Sequence, residues 1–235
     1  VVADTGFSGF PKQCTRFLAA LKRNNDKFWF ERHRSDYDQY VVAPARAFVT
    51  ALGRRLRKRA PGVNADPRID KSIFRIHRDT RFSPDKSPYK SHLGIWLWEG
   101  GGPRMACSGF YFHLEPRKLG LGTGIYLFPQ EYLTPYRESV VDAKHGRALR
   151  RALTLCSRLP GCVIGGQRYK RTPRGFDSAH PNAAYLLHGG LYGFIETRLP
   201  REVHGPEIVE YSYERFRGML PLHRWLLAMT ERAAK

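Results

Sequence analysis

The chain has 235 residues, 42% of them hydrophobic, and a formal net charge of +19 at pH 7. That length and apolar share fit one domain, or one with an elaborated edge, and allow a sizeable core. No apolar run approaches the roughly 18 residues of a membrane span, and the opening VVADTGFSGF lacks the basic-then-apolar pattern of a secretory signal.

Pro11 opens a helical pattern with Phe17, Leu18 and Leu21 on one face. Asn24-Asn25 interrupts it, and Asp26 is placed to cap a second helix carrying Phe28, Trp29, Phe30 and Tyr37. Pro44 opens a third, with Phe48, Leu52 and Leu56 at i, i+4, i+8. That helix runs out in RRLRKRAPG, where cations suit the helix C-terminus and Pro61-Gly62 stops it. A solvated helix end is preferred there to a nucleic-acid contact.

From residue 72 the apolar period changes to two. SIFRIHR places Phe74 and Ile76 on one face and Arg75 and His77 on the other. SHLGIWLW is apolar on both faces, as in a central strand. SGFYFHLEP sends Phe110, Phe112 and Leu114 one way and Tyr111 and His113 the other. KLGLGTGIYLF sets Leu119, Leu121, Ile125 and Leu127 against Gly120, Gly122 and Gly124. Three or four such strands with short connections predict an antiparallel meander.

Residues 129–158 read as two helices broken near Gly146, and 159–177 as a Gly- and Arg-rich irregular segment. A short helix follows Ser178, then a strand near LYGFIETRL. A last helix runs from about Pro206 to Ala233, kinked or divided at Pro221. The expected fold is α+β: a central antiparallel, meander-like sheet flanked by N-terminal and C-terminal helices. It is read as a single domain over 1–235, with a helical part at 1–62, a sheet core at 72–128 and a helical and mixed part at 129–235.

Cys14, Cys107, Cys156 and Cys162 form no C-x-x-C and no zinc-finger spacing, which favours reduced thiols and a cytoplasmic setting. The chain opens on Val, so it reads as trimmed or as part of a longer one. The positive charge favours polyanionic partners, but it is spread: residues 1–100 hold 20 basic and 10 acidic side chains, residues 101–235 hold 20 and 11.

The densest chemistry lies in residues 72–90. Arg75, Arg78, Arg81, Lys86 and Lys90 are placed to ring an anion, with Asp79 and Asp85 ordering them. Asp79 could also act as a base, and Tyr89 or His77 could move a proton. The alternative is a salt-bridged loop that fixes strand register. The pattern Arg75-x-x-Arg78-Asp79-x-Arg81-Phe82-x-x-x-Lys86-x-x-Tyr89, with Asp85 before the lysine, resembles the signature of a bacterial family with longer fungal members, domain of unknown function 2461. NNDKFWF and GFYFHLEP…GTGIY also resemble it. The likeness implies a common domain over residues 7 to about 230. It assigns no activity, cofactor or substrate.

Two further groups stand out. In RYKRTPRGFDSAHP, Arg168, Lys170, Arg171 and Arg174 lead to Asp177 or Ser178 as a helix cap, an arrangement suited to an oxyanion; an ordinary surface loop is the plainer reading. Arg174-Gly175-Phe176 offers one aromatic for stacking on a base. Gly120-x-Gly122-x-Gly124 lies in a strand, so it is not a dinucleotide fingerprint; the floor it leaves suits a packed helix or a ligand. Tyr111 and His113 would wall a pocket over Gly122. No phosphate-binding loop, H-E-x-x-H, EF-hand or G-x-S-x-G occurs. A metal site from His77, Asp79, His92 and His113 is disfavoured by the arginines around it, so neither metal nor cofactor is expected. The leading expectation is a protein that binds, and as an enzyme would act on, a small phosphorylated or carboxylated molecule through residues 75–89. The alternatives are a nucleic-acid-binding module and a structural domain in which the motif is a salt-bridge network. No membrane partner is expected, and oligomeric state is left open.

Overall fold

The alternation in GFYFHL is carried out in space. In the computed structural model, which describes residues 6–81 and 83–233, Gly109–Leu114 is a strand with Phe110, Phe112 and Leu114 fully buried and Tyr111 and His113 half-buried. The elements, in chain order, are α1 (Lys12–Arg23), α2 (Lys27–Arg32), α3 (Arg34–Tyr37), a π-helical turn (Asp38–Val42), α4 (Ala43–Leu56), β1 (Val63–Asn64), β2 (Leu93–Glu99), β3 (Gly109–Leu114), β4 (Lys118–Ile125), α5 (Gln130–Val141), α6 (Ala143–Ser157), β5 (Cys162–Gln167), β6 (His188–Arg198) and α7 (Ile208–Ala233). The strands form one six-stranded antiparallel sheet in the order β1-β2-β3-β4-β6-β5. The fold is α+β, with β2-β3-β4 the expected meander.

The chain divides into two compact units. The first comprises residues 1–97, 111–121 and 196–214; the second 98–110, 122–195 and 215–235. In the first unit an aromatic cluster forms the core: Phe10 stacks on Phe112, with ring centres 5.7 Å apart, and Phe48 lies 4.5 Å from Phe112. Such rings bury large apolar area and set the spacing of the elements that carry them. Asp26 caps α2 by accepting the Trp29 N–H at 2.8 Å, as its position predicted. In the second unit Phe110 meets Phe216 at 5.4 Å, and Tyr136, fully buried, donates to the Tyr185 carbonyl at 2.9 Å.

Several expectations are corrected. Residues 72–78 form no regular strand; only isolated bridges pair them, Ile73 with Ile95 and His77 with Tyr89. The buried positions there are Ser72, Ile73 and Ile76: the two adjacent ones break alternation at the start, while Phe74 and Ile76 lie inward of exposed Arg75 and His77 as expected. The helix break between α5 and α6 falls at Asp142, not Gly146, because the Asp142 carboxylate accepts the Lys144 and His145 N–H groups and restarts the helix. The segment read as irregular contains β5, and the short helix after Ser178 is a 3-10 turn at Ala183–Leu187. Leu127 is exposed, because β4 ends two residues earlier. Helix α7 runs through Pro221 without dividing. Among the described residues no helix is long and apolar enough to cross a membrane.

Candidate functional site

The motif is the tip of an irregular pair of extended segments. Phe74 N–H donates to Gly94 O (3.0 Å) and Trp96 N–H to Ser72 O (2.8 Å); further along, Lys90 N–H donates to Ile76 O and Arg78 N–H to Pro88 O, both at 2.8 Å. Between the Ile73–Ile95 and His77–Tyr89 bridges, one side advances four residues and the other six. The second side therefore carries a two-residue bulge. Bulges re-aim side chains beside a sheet, and His92 lies in this one.

Within the tip the charges largely satisfy one another. Arg78 pairs with Asp85 and lies 3.4 Å from Ser83 Oγ; Arg81 pairs with Asp79 at 2.7 Å. Lys86 donates to Thr80 O at 3.0 Å. The Arg81 guanidinium beside Asp79 pulls that carboxyl down to about 2, and Ser87 and Arg78 do the same for Asp85. The Arg75 side chain is exposed and makes no hydrogen bond among the described residues. His77 is exposed, with its ring 5.2 Å from that of Tyr89. Tyr89 is buried at 3% exposure and stacks on Phe30 at 4.3 Å, while Asn25 bonds both its N–H (3.0 Å) and its carbonyl (2.9 Å). It anchors the loop to the helices. Phe82, also in the motif, lies outside the described residues.

The best-organised polar group lies on β3 and just past its end. Tyr111, His113 and Glu115 share a face at i, i+2, i+4. Tyr111 Oη is 2.9 Å from His113 Nδ1, and His113 Nε2 is 3.0 Å from Glu115 Oε1. The hydrogen bond from His113 holds the Glu115 carboxyl below its usual range, so it is ionised near neutrality. In the neutral ring Nε2 therefore carries the proton, and Nδ1 accepts from the Tyr111 hydroxyl. Burial pushes the Tyr111 phenol up to about 12. The bulge sets the His92 ring 4.2 Å from that of His113. Burial, then His113 and Lys90, draw His92 down to about 4. Arg78 acts on His92 in the same direction. Phe74 meets Tyr111 edge-on at 6.2 Å, and Lys90 Nζ lies 5.7 Å from the Phe74 ring centre. Gly94 lacks a side chain where Tyr111 Oη passes; a Cβ there would sit 3.3 Å from that oxygen.

This group joins residues from two sequence readings: Tyr111 and His113, expected as pocket walls, and Arg78 with Lys90 from the motif. Glu115 was not singled out, although it continues the alternation of Tyr111 and His113. Gly122 does not floor a pocket: its missing side chain is covered by Phe194, whose Cδ2 would lie 3.0 Å from a Cβ. The neighbouring strand takes the space assigned to a helix or ligand. Arg171 and Arg174 are exposed in the second unit. Asp177, expected as a helix cap, instead closes a turn by accepting the Ala179 N–H at 2.8 Å, because the 3-10 turn begins only at Ala183. Arg55, in the last turn of α4 where the basic stretch begins, is tied to Glu210 at 2.8 Å. Among the described residues no cluster of three or more His, Cys, Asp or Glu side chains is placed to hold a metal.

A second linear group, absent from the sequence reading, lies in the second unit. Ser108 Oγ is 3.0 Å from His223 Nδ1, and His223 Nε2 is 2.7 Å from Glu99 Oε2. The residue types are those of a hydrolase triad. Ser108 and His223 are both at 0% exposure, so the group sits inside the core rather than at a substrate-accessible surface.

Residues 13–225 match the family described as Conserved hypothetical protein (DUF2461), and the chain belongs to that family. No curated protein matches it.

Proposed function

We propose that this family member binds a small phosphorylated or carboxylated molecule beside Tyr111, under the positive charge of Lys90 and Arg78, and moves a proton on it. The observation that carries this reading is the continuous series Tyr111–His113–Glu115. Its inner end is a phenol walled by Phe74 and Trp96, with ring centres 6.2 and 6.5 Å away; its outer end is a carboxylate 37% exposed at its side chain. A phenol held near 12 stays protonated at neutral pH and donates to His113 Nδ1, which leaves its oxygen to accept a proton from the ligand. When Tyr111 takes a proton from the ligand, its own passes to His113 Nδ1, and ionised Glu115 stabilises the resulting imidazolium. Lys90 and Arg78 supply fixed charge to an anionic ligand. The Arg78 fork is oriented in advance by Asp85 and Ser83.

The motif loop then serves chiefly as the frame of the site. Asp79 and Arg81 bond each other, and Tyr89 packs into the core, so these residues hold the bulge in register. In this reading the proton-transfer role belongs to Tyr111 and His113 rather than to Tyr89, His77 and Asp79.

The test is titration of the full chain with inorganic phosphate and a panel of phosphorylated and carboxylated metabolites, followed by the imidazole NMR signals. Binding should move the His92 and His113 signals, and Lys90→Ala should weaken it about tenfold. Tyr111→Phe should retain binding while removing turnover and the inner end of the relay. If no anion in the panel moves either histidine at millimolar concentration, the reading fails.

A further inference from the structure

Between Asp142 and Asp177 runs a stretch without a single acidic residue. Residues 143–176 hold nine cations: Lys144, Arg147, Arg150, Arg151, Arg158, Arg168, Lys170, Arg171 and Arg174. This short segment thus supplies nine of the nineteen excess positive charges of the chain. All nine are exposed, and none makes an ion pair among the described residues; Arg150 bonds only the Asn182 amide oxygen, at 2.9 Å. The contrast with the motif is direct, since there Arg78 and Arg81 each have their own carboxylate. Unpaired like charges at this density repel and oppose folding, and an external polyanion relieves them.

The charges are not randomly placed. On α6 and its C-cap, Lys144, Arg147, Arg151 and Arg158 fall at i, i+3, i+7 and i+14, one stripe along an exposed face. Helix α6 packs on β5, an edge strand, which delivers Arg168 and the basic loop after it. Aromatic rings accompany that loop. The Arg168 guanidinium lies 5.1 Å from the ring centre of Tyr126, which is 62% exposed and 5.6 Å from the ring of Tyr192. The Arg137 guanidinium lies 5.1 Å from the ring of Tyr169, which is 37% exposed. Gly189 lies beneath Arg168 and Tyr169: a Cβ there would meet the Arg168 side chain at 2.9 Å and the Tyr169 ring at 3.3 Å. Every one of these residues belongs to the second unit.

We propose that the patch formed by Tyr126, Arg168, Tyr169 and the basic loop Lys170–Arg174 binds single-stranded nucleic acid. Arginines and lysines would follow the phosphates, and the exposed tyrosines would stack on bases. The exposed rings select this partner. Duplex backbone needs only the charge, whereas unpaired bases supply faces for Tyr126 and Tyr169. This proposal is independent of the anion site on β3, whose residues lie in the first unit.

The experiment is fluorescence anisotropy of labelled single-stranded RNA and DNA homopolymers and a duplex of equal length, with the full chain over a salt series. Single strands should bind more tightly than duplex, and affinity should fall steeply with salt. Replacing Arg168, Lys170, Arg171 and Arg174 together by Gln should cost more than tenfold and flatten the salt slope. Tyr126→Ala and Tyr169→Ala should each cost about five- to tenfold with the slope unchanged. Arg81→Ala, as a control, should change nothing. Unaltered melting temperatures confirm that these exposed substitutions leave the fold intact. The proposal is overturned if no oligonucleotide binds, if the Gln variant binds as the parent does, or if the tyrosine variants lose nothing. It is equally overturned if the chain binds anionic phosphatidylserine vesicles through these cations and not oligonucleotides.

Discussion

Ser108 and His223 meet inside the second unit, hydroxyl to Nδ1 at 3.0 Å, with neither side chain reaching solvent. The imidazole is the centre of a buried bridge whose other arm ends on Glu99 at 2.7 Å. A buried polar group costs about 1–3 kcal/mol when orphaned, more than the roughly 0.5–1.5 kcal/mol it contributes when paired. His223→Ala strands the Ser108 hydroxyl and takes a partner from a largely buried carboxylate, so it should cost about 3–5 kcal/mol. Ser108→Ala, which removes one bond and leaves the His–Glu pair, should cost about 1–3 kcal/mol. Urea unfolding of both variants and of the double mutant measures the coupling. A nearly neutral His223→Ala would mean that the bridge does not hold α7 to the strands.

The histidine pair in the first unit makes stability depend on acidity. His92 is held down to about 4 by burial and by His113 and Lys90, whereas an unfolded histidine titrates near 6.5. The unfolded chain therefore takes up the proton first. Stability is full above about pH 6.5 and falls as pH drops toward 4, by at most about 3 kcal/mol from this group. Glu115, also lowered by its bond from His113, loses stability in the same direction as it becomes protonated. The urea midpoint should fall steadily between pH 7 and pH 4.5, and His92→Gln should make that fall shallower. Equal slopes in parent and variant would refute the assignment.

The regular parts of the molecule were legible because burial repeats with a period. Helices α1 and α4 and strands β3 and β4 show it plainly, and Asp26 marked the start of α2. Over residues 74–77 the expected alternation holds, with Phe74 half-buried and Ile76 buried against exposed Arg75 and His77, but Ser72 and Ile73 are both buried and only isolated bridges pair the segment, so it forms no regular strand. Strand β5 was hidden by Gly165-Gly166, where Tyr192 covers the first glycine and the backbone of Gly190 approaches the second. Half of the β3 site could be read from Tyr111 and His113, and Glu115 lay one step further along the same face. His92 could not be placed, because its direction depends on the bulge. The Ser108–His223–Glu99 bridge joins residues 115 and 124 positions apart, and no local pattern announces such a contact.

The motif residues should divide sharply by role. Tyr89 stacks on Phe30 and is bonded through its backbone by Asn25 on both sides. Tyr89→Ala empties a buried aromatic site and should cost about 3–5 kcal/mol; Asn25→Ala, which removes two bonds to half-buried backbone groups, should cost about 1–3 kcal/mol. Arg81→Ala breaks an exposed pair with Asp79 and should leave the unfolding midpoint where it is. Chemical denaturation of the three variants tests this order. A large loss with Arg81→Ala would show that the loop depends on its surface charges.

The glycines of β4 separate close strand packing from a ligand floor. Gly124 has φ of +140°, and a Cβ there would collide with the Leu191 carbonyl oxygen and lie 2.6 Å from Tyr192 Cα. Neither is the movable end of a side chain, so Gly124→Ala adds backbone strain to a clash and should cost at least about 2 kcal/mol. At Gly122 the nearest atom is Phe194 Cδ2 at 3.0 Å, part of a ring that can turn aside, and the backbone there is ordinary. Gly122→Ala should therefore cost about 1 kcal/mol or less. Thermal melts of the two variants decide the matter. If both are equally mild, the approach of Leu191 and Tyr192 to β4 is looser than the geometry requires. If Gly122→Ala is the more damaging, the space over β4 serves something other than the neighbouring strand.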